Sequence, residues 1–444
     1  MSTLTERWTT LEHHDTQQEF VRRPYRFNVL PCGRRSGKTE LCKRKLVDSA
    51  LDGNSEHSDP RYFAAAPTHA QAKRIYWRDL KALSPRNLVV DISESEMRIE
   101  YVTGSEIIVT GMDKPERIEG TPWDGGILDE FANMKPAAWS ENVRPALSDR
   151  GGWCDLIGVP EGRNHYYDLW QRSQADMTEH GEASTWGGFH WISADILPAE
   201  EIAEARRDLD PLTFQQEYEG SFVNFEGRAY YPFDIARHTA KLTDRYRPEQ
   251  PLIFCFDFNV APGVAAICQE MTLPNGEQGT GYIGEVYIPR NSNTPAVVSR
   301  LVKDWGHHDG KFVCYGDATG GSGGTAKVHG SDWDIVKRDL AAAFGGRVSM
   351  RVPNANPKER SRVNAVNSRL LSGDDTVRMM VDPTACPNLV RDFEGVRLLA
   401  GGSGEIDKKH DDRLTHITDA AGYYIVAEFP VVERKMRQIR AQGV

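Results

Sequence analysis

The sequence of 444 residues contains no apolar run approaching the roughly 20 residues that a membrane-spanning helix needs, so we expect no membrane anchor. The N-terminal stretch MSTLTERWTTLEHHDTQQEF lacks the apolar core of a secretory signal, which favours a protein that stays in the cytoplasm. The seven cysteines include no C-x-x-C pair and no zinc-ligand spacing. Several of them lie in apolar, strand-like runs, which predicts reduced, buried thiols.

The chain is too long for one ordinary core, so we expect two domains. A hydrophobic content of 39% and a charged content of 27% are typical of a globular protein. The net charge of −10 argues against a protein that coats nucleic acid along its whole surface. Local basic grooves remain compatible with it, because basic residues cluster in GRRSGKTELCKRK, NPKERSRVN and ERKMRQIR. Each cluster fits a solvated helix face equally well.

The stretch FNVLPCGRRSGKTELCKRK predicts a short strand, a loop and a helix, which is the setting of a P-loop. We expect Lys38 to reach the β- and γ-phosphates of a nucleotide and Thr39 to ligate Mg²⁺. The first glycine of the pattern G-x-x-x-x-G-K-[ST] is replaced by Cys32, and a glycine follows it at Gly33. The other predicted nucleotide-binding residues of this loop are Gly33, Arg35, Ser36, Gly37 and Glu40.

A second motif, GGILDEFANM, predicts a buried strand that ends at Asp129 and Glu130. We expect Asp129 to hold Mg²⁺, directly or through water, and Glu130 to orient and deprotonate the attacking water. The alternative is a strand followed by an acidic helix cap. Gln17 precedes the P-loop and could read the adenine edge, although a surface position explains it as well.

The second half of the chain places aspartates on apolar segments. Asp257 lies within an apolar strand, Asp317 ends another, and KKHDDRLTHITDAAGYYIVAEF predicts a helix with Asp412, His416 and Asp419 on one face. Two acidic strand positions and an acidic helix face are what a two-metal nuclease requires. Strand ends and helix caps also favour aspartate for structural reasons. Glu285 could be a fourth ligand or an ordinary edge-strand acid.

In order along the chain, the stretches TQQEF, CGRRSGKTE, APTHAQAKRIYW, ILDEFANM and VPEGRNHYYDL resemble the large terminase subunits of tailed bacteriophages, the motors that package DNA into capsids. In that family the P-loop commonly lacks its first glycine and carries an arginine that acts in cis on the γ-phosphate. That arginine corresponds by position to Arg34. The family usually has Thr or Ser before the Pro-x-Gly turn, and this chain has Val159, which bears on hydroxyl-mediated coupling and not on ATP hydrolysis.

The resemblance implies an α/β fold with an N-terminal P-loop (RecA/ASCE-like) ATPase domain and a C-terminal ribonuclease H-like nuclease domain. The stretch RVNAVNSRLL…HDDRLTHITDAAGYY is similar to one phage subgroup. It implies that Asp257, Asp317 and a helix aspartate are catalytic metal ligands, and it favours Asp419 over Asp412. The expected limits are 1–195 for the ATPase domain, 196–245 for a linker, 246–430 for the nuclease domain and 431–444 for a basic tail, which is either a portal-docking peptide or a frayed helix end.

The resemblance also implies cofactors and partners. ATP with Mg²⁺ would serve the first site, and two Mg²⁺ or Mn²⁺ ions the second. Double-stranded DNA, a small terminase subunit and the portal protein of the procapsid would be partners, with the motor working as a homo-oligomeric ring in the cytoplasm of the infected host. The alternatives are a helicase-like ATPase-nuclease of DNA repair or defence, and a nucleotide-dependent docking protein with a decayed nuclease site.

Overall fold

The computed structural model describes residues 14–22, 25–52, 56–223, 227–258, 262–318, 331–399, 405–408 and 414–431. The chain divides into two compact units, of which unit 1 comprises Met1–Ile202 and Gln215–Asn224, and unit 2 comprises Ala203–Phe214 and Phe225–Val444. Residues of the predicted linker fall in both units, and the predicted domain limits stay predictions. Apart from Val431, the predicted basic tail lies outside the described residues.

Unit 1 contains a sheet that is mainly parallel. Its strands are β1 (Phe27–Pro31), β2 (Arg61–Ala66), β3 (Val89–Ser93), β4 (Arg98–Tyr101), β5 (Glu106–Gly111), β6 (Gly125–Asp129), β7 (Trp153–Gly158) and β8 (Trp186–Gly188). The order is β3-β4-β5-β2-β6-β7-β1-β8. Strand β7 pairs in parallel with both β1 and β6, so the carboxyl ends of β1 and β6 lie at the same edge of the sheet.

The helices up to residue 217 are α1 (Asp15–Arg22), α2 (Lys38–Leu51), α3 (His69–Ala72), α4 (Arg78–Leu83), α5 (Arg144–Ala146), α6 (His165–His180), α7 (Ala199–Asp208) and α8 (Pro211–Glu217). Segments Lys73–Trp77 and Ala138–Val143 are π-helical. Every residue of β1 and β6 is buried, as expected for strands that are covered on both faces. Leu30 packs in the core on the α2 face, whereas Phe27 and Val29 pack in the core on the other face.

Unit 2 contains a mixed sheet. Its strands are β9 (Leu252–Asp257), β10 (Gly263–Thr272), β11 (Gln278–Ile288), β12 (Phe312–Gly316), β13 (Val348–Met350) and β14 (Met379–Val381). The order is β13-β12-β9-β10-β11-β14, with β10 antiparallel to its neighbours and β12 parallel to β9. This is the strand order of a ribonuclease H-like sheet with β14 added at one edge.

The helices of unit 2 after residue 217 are α9 (Ile235–His238), α10 (Thr294–Trp305), α11 (Asp332–Phe344), α12 (Glu359–Leu370), α13 (Pro387–Gly395) and α14 (His416–Glu428). Short 3₁₀ segments in the two units lie at Arg86–Leu88, Pro115–Ile118, Phe131–Asn133, Gly181–Ala183, Ser193–Asp195, Thr243–Arg245 and Gly345–Arg347. Alternate residues of β9 face two cores: Cys255 packs with α12 and α14, and Phe254 packs with α10 and α11.

All seven cysteines are free and buried, as the sequence predicted. Burial raises the pKa of the Cys32 thiol to about 12, so this group stays protonated and acts as a small apolar side chain. Among the helices that the structure describes, none is both long and apolar enough to cross a membrane.

Candidate functional site

The predicted P-loop lies at the carboxyl end of β1 and leads directly into α2. Gly37 has a φ of 81°, a conformation that glycine adopts without strain, and Lys38 is the first residue of the helix. The Lys38 ammonium is buried and donates a hydrogen bond of 3.3 Å to the Gly33 carbonyl. The loop therefore places its lysine and the amino end of α2 together, which is the arrangement that binds phosphate.

The position of the glycine at residue 33, one place after the first glycine of the usual P-loop pattern, has a steric reason. A Cβ atom on Gly33 would lie 2.3 Å from the Tyr218 carbonyl oxygen and 2.5 Å from the Ser193 hydroxyl. The Gly33 amide donates to the Trp191 carbonyl at 3.0 Å, and the Cys32 amide donates to the Gly158 carbonyl at 3.2 Å. Three distant segments, at residues 158, 191–193 and 218, thus contact the entry to the loop, and only glycine fits at position 33.

Gln17 supports the loop from α1. Its side-chain amide donates to the Ser36 carbonyl at 3.2 Å, and the Trp191 indole donates to the same carbonyl at 2.8 Å. Gln17 is 4% exposed, so the surface alternative is wrong. The Ser36 hydroxyl is buried and has no hydrogen-bond partner among the described residues. A buried hydroxyl of this kind in a P-loop fits a site built for a polar ligand.

Asp129 joins the loop to the end of β6. Its Oδ2 atom accepts hydrogen bonds from the Thr39 hydroxyl at 3.0 Å and from the Tyr76 hydroxyl at 2.9 Å. Its Oδ1 atom accepts from the Glu130 amide at 2.8 Å. A hydroxyl and a carboxylate in contact at the phosphate end of a P-loop are the donor pair that Mg²⁺ takes in such sites.

Glu130 follows Asp129 in a left-handed conformation with a φ of 55°, which is uncommon for this residue type. Burial and the adjacent Asp129 carboxylate raise the pKa of Glu130, while Lys38 and Arg34 act in the opposite direction. Glu130 therefore lies within electrostatic reach of the P-loop lysine and arginine. A raised pKa suits a group that accepts a proton near neutral pH.

Arg34 is held by Glu217, a residue that sequence reasoning missed. The Arg34 Nε and Nη2 atoms lie 2.6 Å and 2.5 Å from Glu217 Oε2, and the Arg34 amide donates to the Glu217 carbonyl at 2.6 Å. Arg35 is exposed and has a φ of 57°. Glu40 forms an ion pair with Arg44 on the next turn of α2, at 3.1 Å.

The turn after β7 reaches the segment that follows Glu130. Asn164 donates to the Ala132 carbonyl at 3.0 Å, and His165 Nε2 lies 3.2 Å from the Phe131 carbonyl. Val159 is buried at the start of this turn. Gly158, the last residue of β7, contacts the P-loop entry through its carbonyl, and Asn164 and His165 contact the residues after β6. Neither contact requires a hydroxyl at position 159.

The second predicted site lies in unit 2. Asp257 ends β9, and Asp317 directly follows the neighbouring parallel strand β12, where its amide lies 3.4 Å from the Phe256 carbonyl. Asp419 lies in the first turn of α14. Burial raises the pKa of the Tyr423 hydroxyl, Arg362 acts in the opposite direction, and the carboxylates of Asp317, Asp257 and Asp419 raise it further. His416 begins the helix that carries Asp419 and contacts Asp257, so the first turn of α14 lies at the end of β9, next to the end of β12.

Each of these carboxylates has a polar neighbour. His416 Nδ1 lies 3.1 Å from Asp257 Oδ2, Asn356 donates to Asp317 Oδ1 at 2.6 Å, and Arg362 donates to Asp419 Oδ1 at 2.6 Å. Within the described part of the chain, no group of three His, Cys, Asp or Glu side chains could hold a metal ion by itself. Carboxylate oxygens are nevertheless the donors that suit Mg²⁺ and Mn²⁺, and Mg²⁺ is commonly held by one or two carboxylates together with substrate phosphates.

The beginning of the predicted acidic helix differs from the structure. Leu414 and Thr415 are not helical, Thr415 has a φ of 84°, and α14 begins at His416. The other candidate, Asp412, lies outside the described residues. The choice of Asp419 over Asp412 therefore stays a prediction.

Glu285 is a helix cap. It accepts hydrogen bonds from the Asn388 amide and side chain at 3.0 Å and 2.6 Å, and from the Leu389 amide at 3.0 Å. These donors belong to the first turn of α13, where a carboxylate is favourable. Its strand, β11, lies between β10 and β14, but the pairing with β14 covers only residues 280–282, so Glu285 lies beyond it.

Comparison with known proteins relates this geometry to one family. The family model described as "Terminase large subunit, T4likevirus-type, N-terminal" matches residues 30–237. The large terminase subunit of Thermus phage G20c is 25% identical over 278 residues, a match that covers 54% of this chain and 56% of that protein. The chain thus spans little more than half the length of this relative.

A solved structure extends the likeness along most of the chain. The large terminase of the thermophilic bacteriophage D6E has a TM-score of 0.57 at 16% identity, covering 94% of this chain and 99% of that one. The same protein in complex with ADP gives a TM-score of 0.56 at 15% identity with the same coverage. At these identities the likeness is one of fold. Together with the two sheets, it confirms the expected α/β class of a P-loop ATPase fold followed by a ribonuclease H-like fold.

The family model spans the segment that carries both the P-loop and the Asp129–Glu130 motif, and the named relatives are themselves large terminases. These matches agree with the order of motifs along the sequence. Residues 30–237 of this chain, a little less than half of it, thus match the family of large terminase subunits of phages.

Proposed function

We propose that the protein is a DNA-packaging motor that hydrolyses ATP to move double-stranded viral DNA into a procapsid, and that it cuts concatemeric DNA with a metal-dependent nuclease. The observation that carries the proposal is the contact between Thr39 and Asp129, because it joins the P-loop to the strand that ends beside Glu130. The match of residues 30–237 to the family model of large terminase subunits supports the same activity. The proposed ATPase domain is 1–195, and the proposed nuclease domain is 246–430.

In the first site, the Lys38 ammonium and the amide groups at the start of α2 would bind the phosphates of ATP. Thr39 and Asp129 would hold Mg²⁺, which neutralises charge on the phosphates when it is bound. The large terminase of bacteriophage D6E, which shares the fold, has been solved with ADP. The buried Ser36 hydroxyl supports a polar ligand at this loop.

Glu130 would orient the attacking water and accept its proton. Its raised pKa follows from burial and from the neighbouring Asp129 carboxylate, and this makes it a stronger base than an exposed glutamate. Arg34 would stabilise the negative charge that develops on the transferred phosphoryl group. In the structure this arginine is held by Glu217, so its approach to a phosphate would involve exchange of one anionic partner for another.

In the second site, Asp257, Asp317 and Asp419 would hold the two divalent ions expected for this class of nuclease. The ions supply a water of lowered pKa and stabilisation of the leaving oxygen when they are bound. The adjacent ends of β9 and β12, together with the contact of α14 with Asp257 through His416, support this assignment. Phosphate oxygens of DNA would complete the coordination of the ions, because Mg²⁺ is commonly held by carboxylates of the protein together with phosphates of the substrate.

The partners follow from the proposed activity. A motor must step along any sequence, so DNA would be held through its phosphates, and the cutting site would be chosen by another protein. We propose a small terminase subunit for that role, the portal protein as the docking partner, a ring of copies as the working form, and the cytoplasm of the infected host as the location. The basic residues after Val431, proposed to dock on the portal, lie outside the described residues.

The helicase-like alternative is less well supported. A helicase of this kind would carry a second RecA-like domain that contributes an arginine finger. Unit 2 instead has the strand order β13-β12-β9-β10-β11-β14, with aspartates at the ends of two adjacent strands. The docking-protein alternative is disfavoured by the presence of Lys38, Glu130 and the three nuclease aspartates.

Two variants, each purified separately and assayed for both activities, test the proposal, and each serves as the control for the other. Lys38→Ala should lose ATP turnover and still cut plasmid DNA with Mn²⁺ or Mg²⁺. Asp257→Ala should lose cutting and keep ATP turnover. If Asp257→Ala cuts plasmid as well as the wild type does, the nuclease assignment fails. If Lys38→Ala turns over ATP at the wild-type rate, the ATPase site is elsewhere.

A further inference from the structure

Arg362 is a buried cation beside one of the proposed metal ligands. It lies on α12 and donates a hydrogen bond of 2.6 Å from Nη2 to Asp419 Oδ1 on α14. The arginine side chain is 5% exposed and the aspartate side chain 11% exposed. A buried charge is costly unless it is paired, so each residue compensates for the burial of the other.

The position of Arg362 is closely confined. A Cβ atom on Gly422 would lie 2.6 Å from Arg362 Cγ, so the arginine stem runs where α14 has no side chain. The ring of Tyr423 covers the guanidinium, with 4.9 Å between the ring centroid and the central guanidinium carbon. Asp419, Gly422 and Tyr423 lie within about one turn of helix, so α14 provides the ion partner, the space and the cover for one arginine.

The contact engages one carboxylate oxygen and leaves the other available. Among the described residues, the Asp419 carboxylate receives its hydrogen bond from Arg362 at Oδ1, and no described donor contacts Oδ2. Asp257 and Asp317 lie at the ends of adjacent strands, and His416, in the same first turn of α14 as Asp419, contacts Asp257 at 3.1 Å. Three carboxylates that approach one another repel, and a fixed positive charge behind one of them offsets part of that repulsion.

We propose that Arg362 is a positioning residue of the nuclease site, which holds Asp419 by Oδ1 so that Oδ2 is presented to a divalent ion. The inference rests on the proposed nuclease function and adds a residue to it. A different role would be a displaceable latch that competes with the ion for Asp419. The confinement of Arg362 between Gly422 and Tyr423 argues against a latch, because the side chain has little room to swing away.

The test is the affinity of the full-length protein for Mn²⁺ alone, measured by electron paramagnetic resonance of the free ion. Asp257→Ala defines which part of the binding belongs to the nuclease site. Arg362→Gln should weaken that part about 10- to 100-fold, the range seen when a residue that orients a metal ligand is removed. Arg362→Lys, which keeps the charge, should recover part of the loss.

Arg369 provides a matched control on the same helix. It is also largely buried, pairs with Glu270 at 3.5 Å, and lies over the ring of Phe429 at 3.9 Å. Arg369→Gln should therefore disturb packing to a similar degree and leave Mn²⁺ affinity unchanged. Gly422→Ala provides an independent variant if Arg362→Gln does not fold, because the new methyl group displaces the arginine stem without removing a charge. We expect it to weaken Mn²⁺ binding as well.

The outcomes are distinct. If Arg362→Gln binds Mn²⁺ with the wild-type affinity, Arg362 contributes to packing only, and the inference is overturned. Tighter binding would identify a competing latch and also overturn it. If Mn²⁺ binding by the wild type does not depend on Asp257, the nuclease site itself fails, and the inference fails with it.

Discussion

Thr39 and Asp129, which are 90 positions apart in the sequence, are joined by a hydrogen bond of 3.0 Å from the threonine hydroxyl to the aspartate Oδ2 atom. Asp129 ends β6, and Thr39 lies in the first turn of α2, which follows β1. Strand β7 separates β1 from β6 in the sheet, yet the two side chains meet at its carboxyl edge. The contact is between two side chains that Mg²⁺ would bind together. Residues that hold or surround this pair should therefore affect the dependence of ATP turnover on Mg²⁺.

Tyr76 is the first such residue, because its buried hydroxyl donates to the same Asp129 oxygen at 2.9 Å. Tyr76→Phe should lower the free energy of unfolding by roughly 1.5–3 kcal/mol, the range for a hydrogen bond to a charged group. It should also raise the Mg²⁺ concentration needed for half-maximal ATP turnover. Tyr101→Phe is the control, since that buried hydroxyl contacts Ser84 instead. An unchanged Mg²⁺ requirement in Tyr76→Phe would remove the tyrosine from the site.

Substitution of Arg34 should lower kcat far more than substitution of Arg35. Arg34 lies close enough to Glu130 to influence its pKa, whereas Arg35 is exposed. Arg34→Ala should reduce kcat by a factor on the order of 10³ or more, as removal of an arginine finger does. Arg35→Ala should have a much smaller effect on kcat in the same steady-state assay. Equal and small losses in both variants would place Arg34 outside the transition state.

Gly33 should tolerate no side chain. Gly33→Ala would place a methyl group 2.3 Å from the Tyr218 carbonyl oxygen, and we expect a loss of about 1–3 kcal/mol in stability together with reduced ATP turnover. Gly346→Ala is the control, because nothing lies within 4 Å of a Cβ atom there. Thermal unfolding and ATP turnover would be measured for both. Wild-type behaviour of Gly33→Ala would mean that the segments around the loop move apart readily.

Asp392 predicts a pH dependence of stability. Burial raises the pKa of its carboxyl to about 7, with Arg391 acting in the opposite direction. Because the folded pKa lies above the unfolded value of about 4, the folded state binds the proton more tightly, and stability from this group falls as the pH rises from about 4 to 7. The free energy of unfolding of Asp392→Asn, relative to that of the wild type, should therefore increase by up to about 1.4 kcal/mol for each pH unit over that range.

Denaturant unfolding at pH 5, 6, 7 and 8 would measure this gain. Asp339→Asn is the matched control, since Asp339 also follows an arginine that pairs with it but is 30% exposed, whereas the Asp392 side chain is fully buried. A difference between Asp392→Asn and the wild type that does not change with pH would show that the carboxyl titrates normally in the folded protein.

The first site was predictable where the chemistry depends on neighbours in sequence. The run from Gly37 to Thr39 and the pair Asp129–Glu130 each follow a strand, and a strand–loop–helix pattern already implies where such residues lie. The steric requirement at Gly33 and the role of Glu217 could not be predicted in this way. Both depend on contact between segments more than 180 positions apart, which a local pattern does not contain.

The second site shows the same division. Sequence patterns placed Asp257 within a buried strand and Asp317 at the end of another. In the structure Asp257 is the last residue of β9, and Asp317 directly follows β12. In the structure the predicted helix does not include Leu414 and Thr415, because Thr415 adopts a positive φ directly before the first helical residue, His416. Asp412 lies outside the described residues, so its place on the predicted helix face stays a prediction. Arg362 lies 57 positions from Asp419, and only the packing of α12 on α14 brings the two together.

The most direct test of the account is ATP turnover by Glu130→Gln, measured beside ATP affinity. The substitution keeps the size of the side chain and removes the carboxylate that would accept the proton of water, while Lys38, Thr39 and Asp129 remain in place. The account predicts that turnover is abolished and that Mg²⁺-dependent ATP binding stays close to the wild-type value. Undiminished turnover would contradict it, because the contact between the P-loop and the end of β6 would then not form the catalytic site.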